Sequence, residues 1–197
     1  MGYAPENTIT SFERAIALEC DGVETDVWVT NRAFLITHEP PRAGNAYPTL
    51  AEVLDLCRGR IEVNVELKCP SDATAARAAG ARLGAHLAAS GHDGVFVSSF
   101  RADALLAVGE AAPALRRGLL FVGQPLPALL IAHVRELGLW ALHPQKDYVD
   151  RELVSAAHAA GLQLNTWTAN DPEEIARLVA LGVDAIMSDF PDRVPKT

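Results

Sequence analysis

Two acidic residues stand two apart in Val23-Glu24-Thr25-Asp26-Val27, and a third sits in the run Val65-Glu66-Leu67-Lys68. If both runs are strands, alternation puts Glu24 and Asp26 on one face, about 6.6–6.8 Å apart along the chain, and Lys68 on the same face as Glu66. Two bare carboxylates facing a barrel interior need neutralising, and a divalent cation does that. Three carboxylates with open water positions suit a hard cation, Mg²⁺ or Ca²⁺. Acids are mostly exposed, however, so from spacing alone solvent-facing strand residues account for Glu24 and Asp26 slightly better. His38 closes the run Phe34-Leu35-Ile36-Thr37-His38. A lone histidine is more often structural, but beside a metal its near-neutral pKa suits a general acid or base. Lys68 could hold a phosphate oxygen as a point charge, or form a salt bridge to Glu66 or Asp26. Trp167, at the end of Leu164-Asn165-Thr166-Trp167, could stack on a small substrate or cap the core.

The elements that must position these residues alternate along the chain. Strands are expected at Gly22–Thr30, Phe34–His38, Ile61–Leu67, Val95–Ser98, Arg117–Phe121, Leu139–His143, Leu162–Trp167 and Ala185–Ser188. Helices are expected between them, at Thr10–Leu18, Leu50–Cys57, Ala73–Ser90, Ala102–Ala111, Pro127–Leu137, Asp150–Ala160 and Asp171–Leu181. Gly91, Gly161 and Gly182 are stop signals, and Asp171-Pro172-Glu173-Glu174 is a helix start. Strand–helix repetition implies a parallel sheet, either open and doubly wound or closed as a barrel. No GxGxxG or Walker-type loop supports the open form. Glu24, Asp26, Glu66, Lys68, Ser98, His143, Trp167 and Asp189 sit at or just after expected strands, as a barrel mouth requires. The expectation is α/β, a (β/α) TIM-type barrel forming one domain over residues 1–197.

The totals agree with that class. A chain of 197 residues, 49% apolar and 21% charged, suits one large folded domain. The net charge of −8 argues against nucleic acid and suits carboxylate-held cations. Three scattered cysteines, Cys20, Cys57 and Cys69, fit neither a disulfide framework nor a zinc site. With neither a membrane-length apolar run nor a signal peptide in view, the expected location is the cytoplasm, an inference that weakens if the N-terminus has been cut.

The chain also resembles the glycerophosphodiester phosphodiesterase family. Gly2-Tyr3-Ala4-Pro5-Glu6-Asn7-Thr8 is similar to the segment after that family's His-Arg-Gly opening, Glu24-Thr25-Asp26 to its Glu-x-Asp motif, His38 to its second catalytic histidine, and Glu66-Leu67-Lys68 to its Glu-x-Lys. Ser98-Ser99-Phe100, Asn165-Thr166-Trp167-Thr168 and the stretch from Gly182 to Pro191 are similar to its later signatures, in family order. The resemblance implies that Glu24, Asp26 and Glu66 ligate a divalent cation, that Lys68, Glu6, Asn7 and Trp167 contact substrate, and that His38 is one half of an acid–base pair. It further implies hydrolysis of glycerophosphodiesters to glycerol 3-phosphate and an alcohol, the glycerol hydroxyl attacking phosphorus first.

This sequence departs from the pattern in three places. Met1 stands where the arginine of His-Arg belongs, so the first strand and first histidine are expected to be missing, by truncation or by loss. The acid after the second histidine is Glu39 rather than Asp, and the following insertion is cut to Pro40–Pro48. Exposed strand edges would permit a homodimer. The competing expectations are a catalytically impaired barrel that binds phosphate or lipid head groups, and a related phosphodiesterase acting on lysophospholipids or phosphoinositides.

Overall fold

The computed structural model describes residues 2–196; Met1, placed above at the arginine position, lies outside them. The described residues form two compact units, the first ending at Arg116 and the second beginning at Arg117. The elements alternate in the order expected of a (β/α) barrel.

The first unit opens with helix α1 (Ile9–Ala17), whose cap Thr8 forms a reciprocal capping box with Ser11. Strand β1 (Gly22–Val29) follows, then β2 (Phe34–Ile36), α2 (Leu50–Cys57), β3 (Glu62–Lys68), α3 (Ala73–Ser90), β4 (Val95–Ser99) and α4 (Ala102–Ala111). β1, β3 and β4 pair in parallel. β2 instead pairs antiparallel to β1, with Val27 opposite Ile36. The connection explains this departure from an all-parallel sheet: three residues after Thr30 cannot make the long crossover that parallel pairing needs. Thr30 ties off the turn, its backbone N–H and its hydroxyl both donating to the Ala33 carbonyl.

Register sorts the two faces of this sheet. Val27, Val63, Val65, Leu67 and Val97 are buried together on one face, with at most 1% of any of them exposed. The opposite face carries Glu24, Asp26, Asn64, Glu66, Lys68 and Ser98, because their positions have the other parity. Helices α3 and α4 cover the unit at very close range. A Cβ added at Gly80 would run into the Ala104 carbonyl, and one at Gly84 would lie 2.8 Å from the Val108 oxygen. α3 ends at Gly91, whose φ of 60° is a left-handed closing turn that glycine adopts without steric cost.

The second unit holds β5 (Arg117–Phe121), α5 (Pro127–Glu136), β6 (Ala141–Pro144), α6 (Arg151–Ala159), β7 (Gln163–Thr166), α7 (Pro172–Leu181) and the short β8 (Ala185–Ile186). Its strands pair in parallel in chain order. The expected start of α7 is present: Asp171 accepts hydrogen bonds from the Glu173 and Glu174 N–H groups, with Pro172 in the first turn. Boundaries elsewhere differ from expectation by one or two residues, and the last strand stops at Ile186 rather than Ser188. Among the described residues no helix is long and apolar enough to cross a membrane.

Candidate active site

The site is built in the first unit, on the polar face of β1 and β3. Asp26 and Glu66 are direct neighbours across the parallel pair, and Glu24 sits beside Asn64 one step lower. One carboxylate oxygen from each of Glu24, Asp26 and Glu66 lies within 4.8 Å of the others. Lys68 bridges two of them, with Nζ 3.0 Å from Asp26 Oδ1 and 2.5 Å from Glu66 Oε1. The salt-bridge alternative for Lys68 is therefore realised in this structure.

Asp26 is also gripped from the other side. Asn7 Nδ2 donates to Asp26 Oδ2 at 2.7 Å, while Asn7 Oδ1 accepts from the Asp26 N–H at 3.1 Å and from Thr25 Oγ1 at 3.0 Å. Asn7 achieves this with a left-handed backbone, φ 56°, which asparagine tolerates better than most residues. Both Asp26 oxygens are thus fixed by this chain, whereas Glu24 makes no hydrogen bond or ion pair among the described residues.

The electrostatics follow from three acids around one ammonium. Burial, then the charges of Asp26 and Glu66, hold the Glu24 carboxyl well above its ordinary pKa, with Lys68 opposing. Glu24 still exposes surface to solvent, so its acidic neighbours are the firmer cause. Glu66 is raised too: burial outweighs the lowering effect of its pair with Lys68. Burial alone would depress Lys68, but Glu66 and Asp26 more than offset it and keep the ammonium charged. An excess of negative charge in a partly dry site is what a divalent cation relieves, and the all-oxygen donor set fits a hard one.

His38 follows β2. The Thr37 N–H donates to the Asp26 carbonyl at 3.0 Å, extending the antiparallel pairing past the last strand residue, and Trp28 Nε1 donates to the His38 carbonyl at 3.3 Å. These bonds hold the His38 backbone beside β1, while its side chain stays 54% exposed with Nδ1 3.3 Å from Glu39 Oε1. His38 is near enough to lower the Glu66 pKa. A cavity of about 310 Å³ is lined by His38, Glu39, Glu6, Asn7, Thr37 and Tyr47, among others. Asn7 links it to the carboxylates. A larger cavity of about 600 Å³ lies at the opposite, N-terminal ends of β1, β3 and β4. Its lining mixes Arg58 and Arg60 with Asp21, Glu62 and Asp93, and Arg58 and Arg60 already donate to backbone carbonyls. The chemistry gathers at the smaller cavity.

Trp167 belongs to the second unit. Its Nε1 donates to the His143 carbonyl at 2.8 Å, which fixes the indole. His143 is fully buried there beside Asn165, with Nε2 3.1 Å from the amide nitrogen. Sequence reasoning passed over Asn64 and Tyr47 as contributors. Asn64 was readable from parity, two residues before Glu66; Tyr47, brought to the cavity by a loop, gave no signal.

The family model described as the glycerophosphoryl diester phosphodiesterase family matches residues 1–38 and 35–193. The chain belongs to this family. The two matched segments overlap at residues 35–38, around the end of β2. Among curated phosphodiesterases of this kind, the chain is 29% identical to a glycerophosphodiester phosphodiesterase of Caldanaerobacter subterraneus subsp. tengcongensis, over 95% of this chain and 90% of that protein. It is 28% identical to one from Bacillus altitudinis, over 99% of this chain and 93% of that protein. A solved phosphodiesterase of Oleispira antarctica, in complex with the product sn-glycerol-3-phosphate, superimposes with a TM-score of 0.83 at 22% identity, covering 98% of this chain and 91% of that one. The (β/α) barrel class expected from the sequence is the fold class of this family.

Proposed function

We propose that this chain hydrolyses glycerophosphodiesters to glycerol 3-phosphate and an alcohol, with a divalent cation, Mg²⁺ or Ca²⁺, held by Glu24, Asp26 and Glu66. The observation that carries the reading is the close approach of those three carboxylates, joined through Asn7 to the cavity that His38 lines. A cation bound there would polarise a phosphoryl oxygen and orient the diester. Asn7 and Lys68 fix Asp26 and Glu66, so the ligands are oriented in advance. Lys68 carries its positive charge towards the phosphate. Glu6 and Asn7, on the cavity wall, contact the glycerol end. His38, exposed to the cavity, takes a proton from the attacking hydroxyl or returns one to the leaving alcohol. Glu39 against Nδ1 leaves Nε2 as the nitrogen that exchanges it. The family membership and the product named for the Oleispira antarctica protein support this reading.

The test is release of glycerol 3-phosphate from glycerophosphocholine by the chain, with Mg²⁺, with Ca²⁺ and with EDTA. Cation-dependent release that Glu24→Gln abolishes is expected. Release undiminished by EDTA would refute the metal assignment. Cation binding without any release would favour a head-group-binding barrel, and release only from lysophospholipids would move the substrate class.

A further inference from the structure

Two buried polar side chains stand among the carboxylates with their hydrogen bonds unmade. Asn64 is 3% exposed, and among the described residues neither its amide nitrogen nor its amide oxygen has a partner. Ser98 is 0% exposed, and its hydroxyl has none among them either. Nearly all buried polar atoms in folded proteins are satisfied, so such atoms ask what pairs with them. Their placement answers. Asn64 lies directly across from Glu24, and Ser98 directly across from Glu66. Neighbouring strands run about 4.8 Å apart, so each polar group borders a carboxylate on the same face of the sheet. The other face at this level is the apolar core of Val63, Val65 and Val97, which has nothing to offer either group. Ser99, the next residue along, illustrates the contrast: it points to the other face, and its hydroxyl donates to the Leu67 carbonyl at 2.8 Å.

We propose that Asn64 and Ser98 are positioning residues for the cation site, giving their hydrogen bonds to the outer carboxylate oxygens and to the water carried by a cation held by Glu24, Asp26 and Glu66. Hard cations keep several waters when bound by a few carboxylates, and those waters need acceptors and donors around them. Asn64 supplies one of each kind and Ser98 a rotating hydroxyl, which can serve either. Lys68 and Asn7 already occupy three of the carboxylate oxygens, so Asn64 and Ser98 complete the shell on the side away from them. This inference rests on the cation reading above.

The experiment is calorimetric titration of the chain with Mg²⁺ and with Ca²⁺, comparing the wild type with Ser98→Ala, Ser98→Thr and Asn64→Leu. Thermal melts in EDTA report folding alongside. Loss of an outer partner weakens metal binding about 10–100-fold. Ser98→Ala and Asn64→Leu should therefore bind at least about 10-fold more weakly while melting in EDTA no lower than the wild type. Ser98→Thr, which keeps the hydroxyl, should retain affinity. Wild-type affinity in Ser98→Ala would overturn the inference and leave the cation reading intact. A wild type that binds neither cation would overturn both. If Asn64→Leu fails to fold, the two serine variants decide alone.

Discussion

Replacing Lys68 by Met tests the electrostatic account of the site directly. Lys68 is 18% exposed, and its partners Asp26 and Glu66 are 6% and 12% exposed. Methionine preserves length and removes the charge, so three neighbouring carboxylates face one another with no cationic side chain among them. Breaking a buried pair by deleting one partner costs about 3–5 kcal/mol, because the surviving charge stays desolvated. For a chain of this size about 1 kcal/mol moves the midpoint by roughly 2–4 °C, so Lys68→Met should melt on the order of 10 °C lower in EDTA at neutral pH. A divalent cation supplies the missing charge. At about 100 times its Kd it adds roughly 2.7 kcal/mol to any form that binds it only when folded. It should add more to the variant at a fixed concentration, since the variant's site is more negative. The assay is differential scanning fluorimetry, with calorimetry at the extremes, across a Mg²⁺ titration. A variant that melts with the wild type in EDTA would show that the carboxylates are not crowded as described. A variant destabilised yet indifferent to cation would separate the ion pair from any metal site.

Three other expectations concern separate parts of the molecule. His38→Ala should lower kcat by about 10²–10⁴-fold with an unchanged melting temperature, because the side chain is 54% exposed and its loss leaves no hole. His143 is buried, and burial lowers its pKa to about 3. The unfolded chain binds that proton below about 6.5, so this contribution is complete above 6.5 and is lost as pH falls towards 3. By pH 5 the loss amounts to about 2 kcal/mol, read as a shallower acid slope in urea melts of His143→Gln, with NMR showing the native imidazole still neutral there. Gly80→Ala should destabilise by about 1–3 kcal/mol in a urea melt: helix propensity alone predicts a gain of up to about 1 kcal/mol, but the new methyl meets the Ala104 backbone carbonyl, which cannot turn aside.

Much of this was legible in the sequence because the relevant periods are short. Parity alone put Glu24 and Asp26 on one face and Glu66 and Lys68 on another strand's same face, and the register brought them together. Helix ends were legible where local chemistry fixed them, as at Asp171 and Gly182. The antiparallel turn of β2 was legible in principle from the short link after Thr30, but the alternation of strands and helices around it favours a parallel reading. Tyr47 was not legible. Its position depends on the loop from Pro40 to Pro48, where its phenol, accepting from the Arg42 N–H and Asn45 Nδ2, sets the path, and no periodicity encodes such bonds.

The unequal treatment of the three carboxylates is itself informative. Among the described residues Asp26 is held at both oxygens, Glu66 at one, and Glu24 at none. Fixing a side chain before a ligand arrives removes an ordering cost from the binding step, while leaving one free lets it follow the ligand's preferred distance. The fixed member also organises the rest: Asn7, which orients Asp26, lies in the loop that forms the cavity wall, and the Asp26 carbonyl receives the Thr37 N–H that carries the chain to His38. Asn7→Ala should therefore disturb cation affinity and His38 placement together, although Asn7 is no ligand. A weakened cation Kd with an unaltered His38 NMR titration would break that link and leave the two halves of the site independently built.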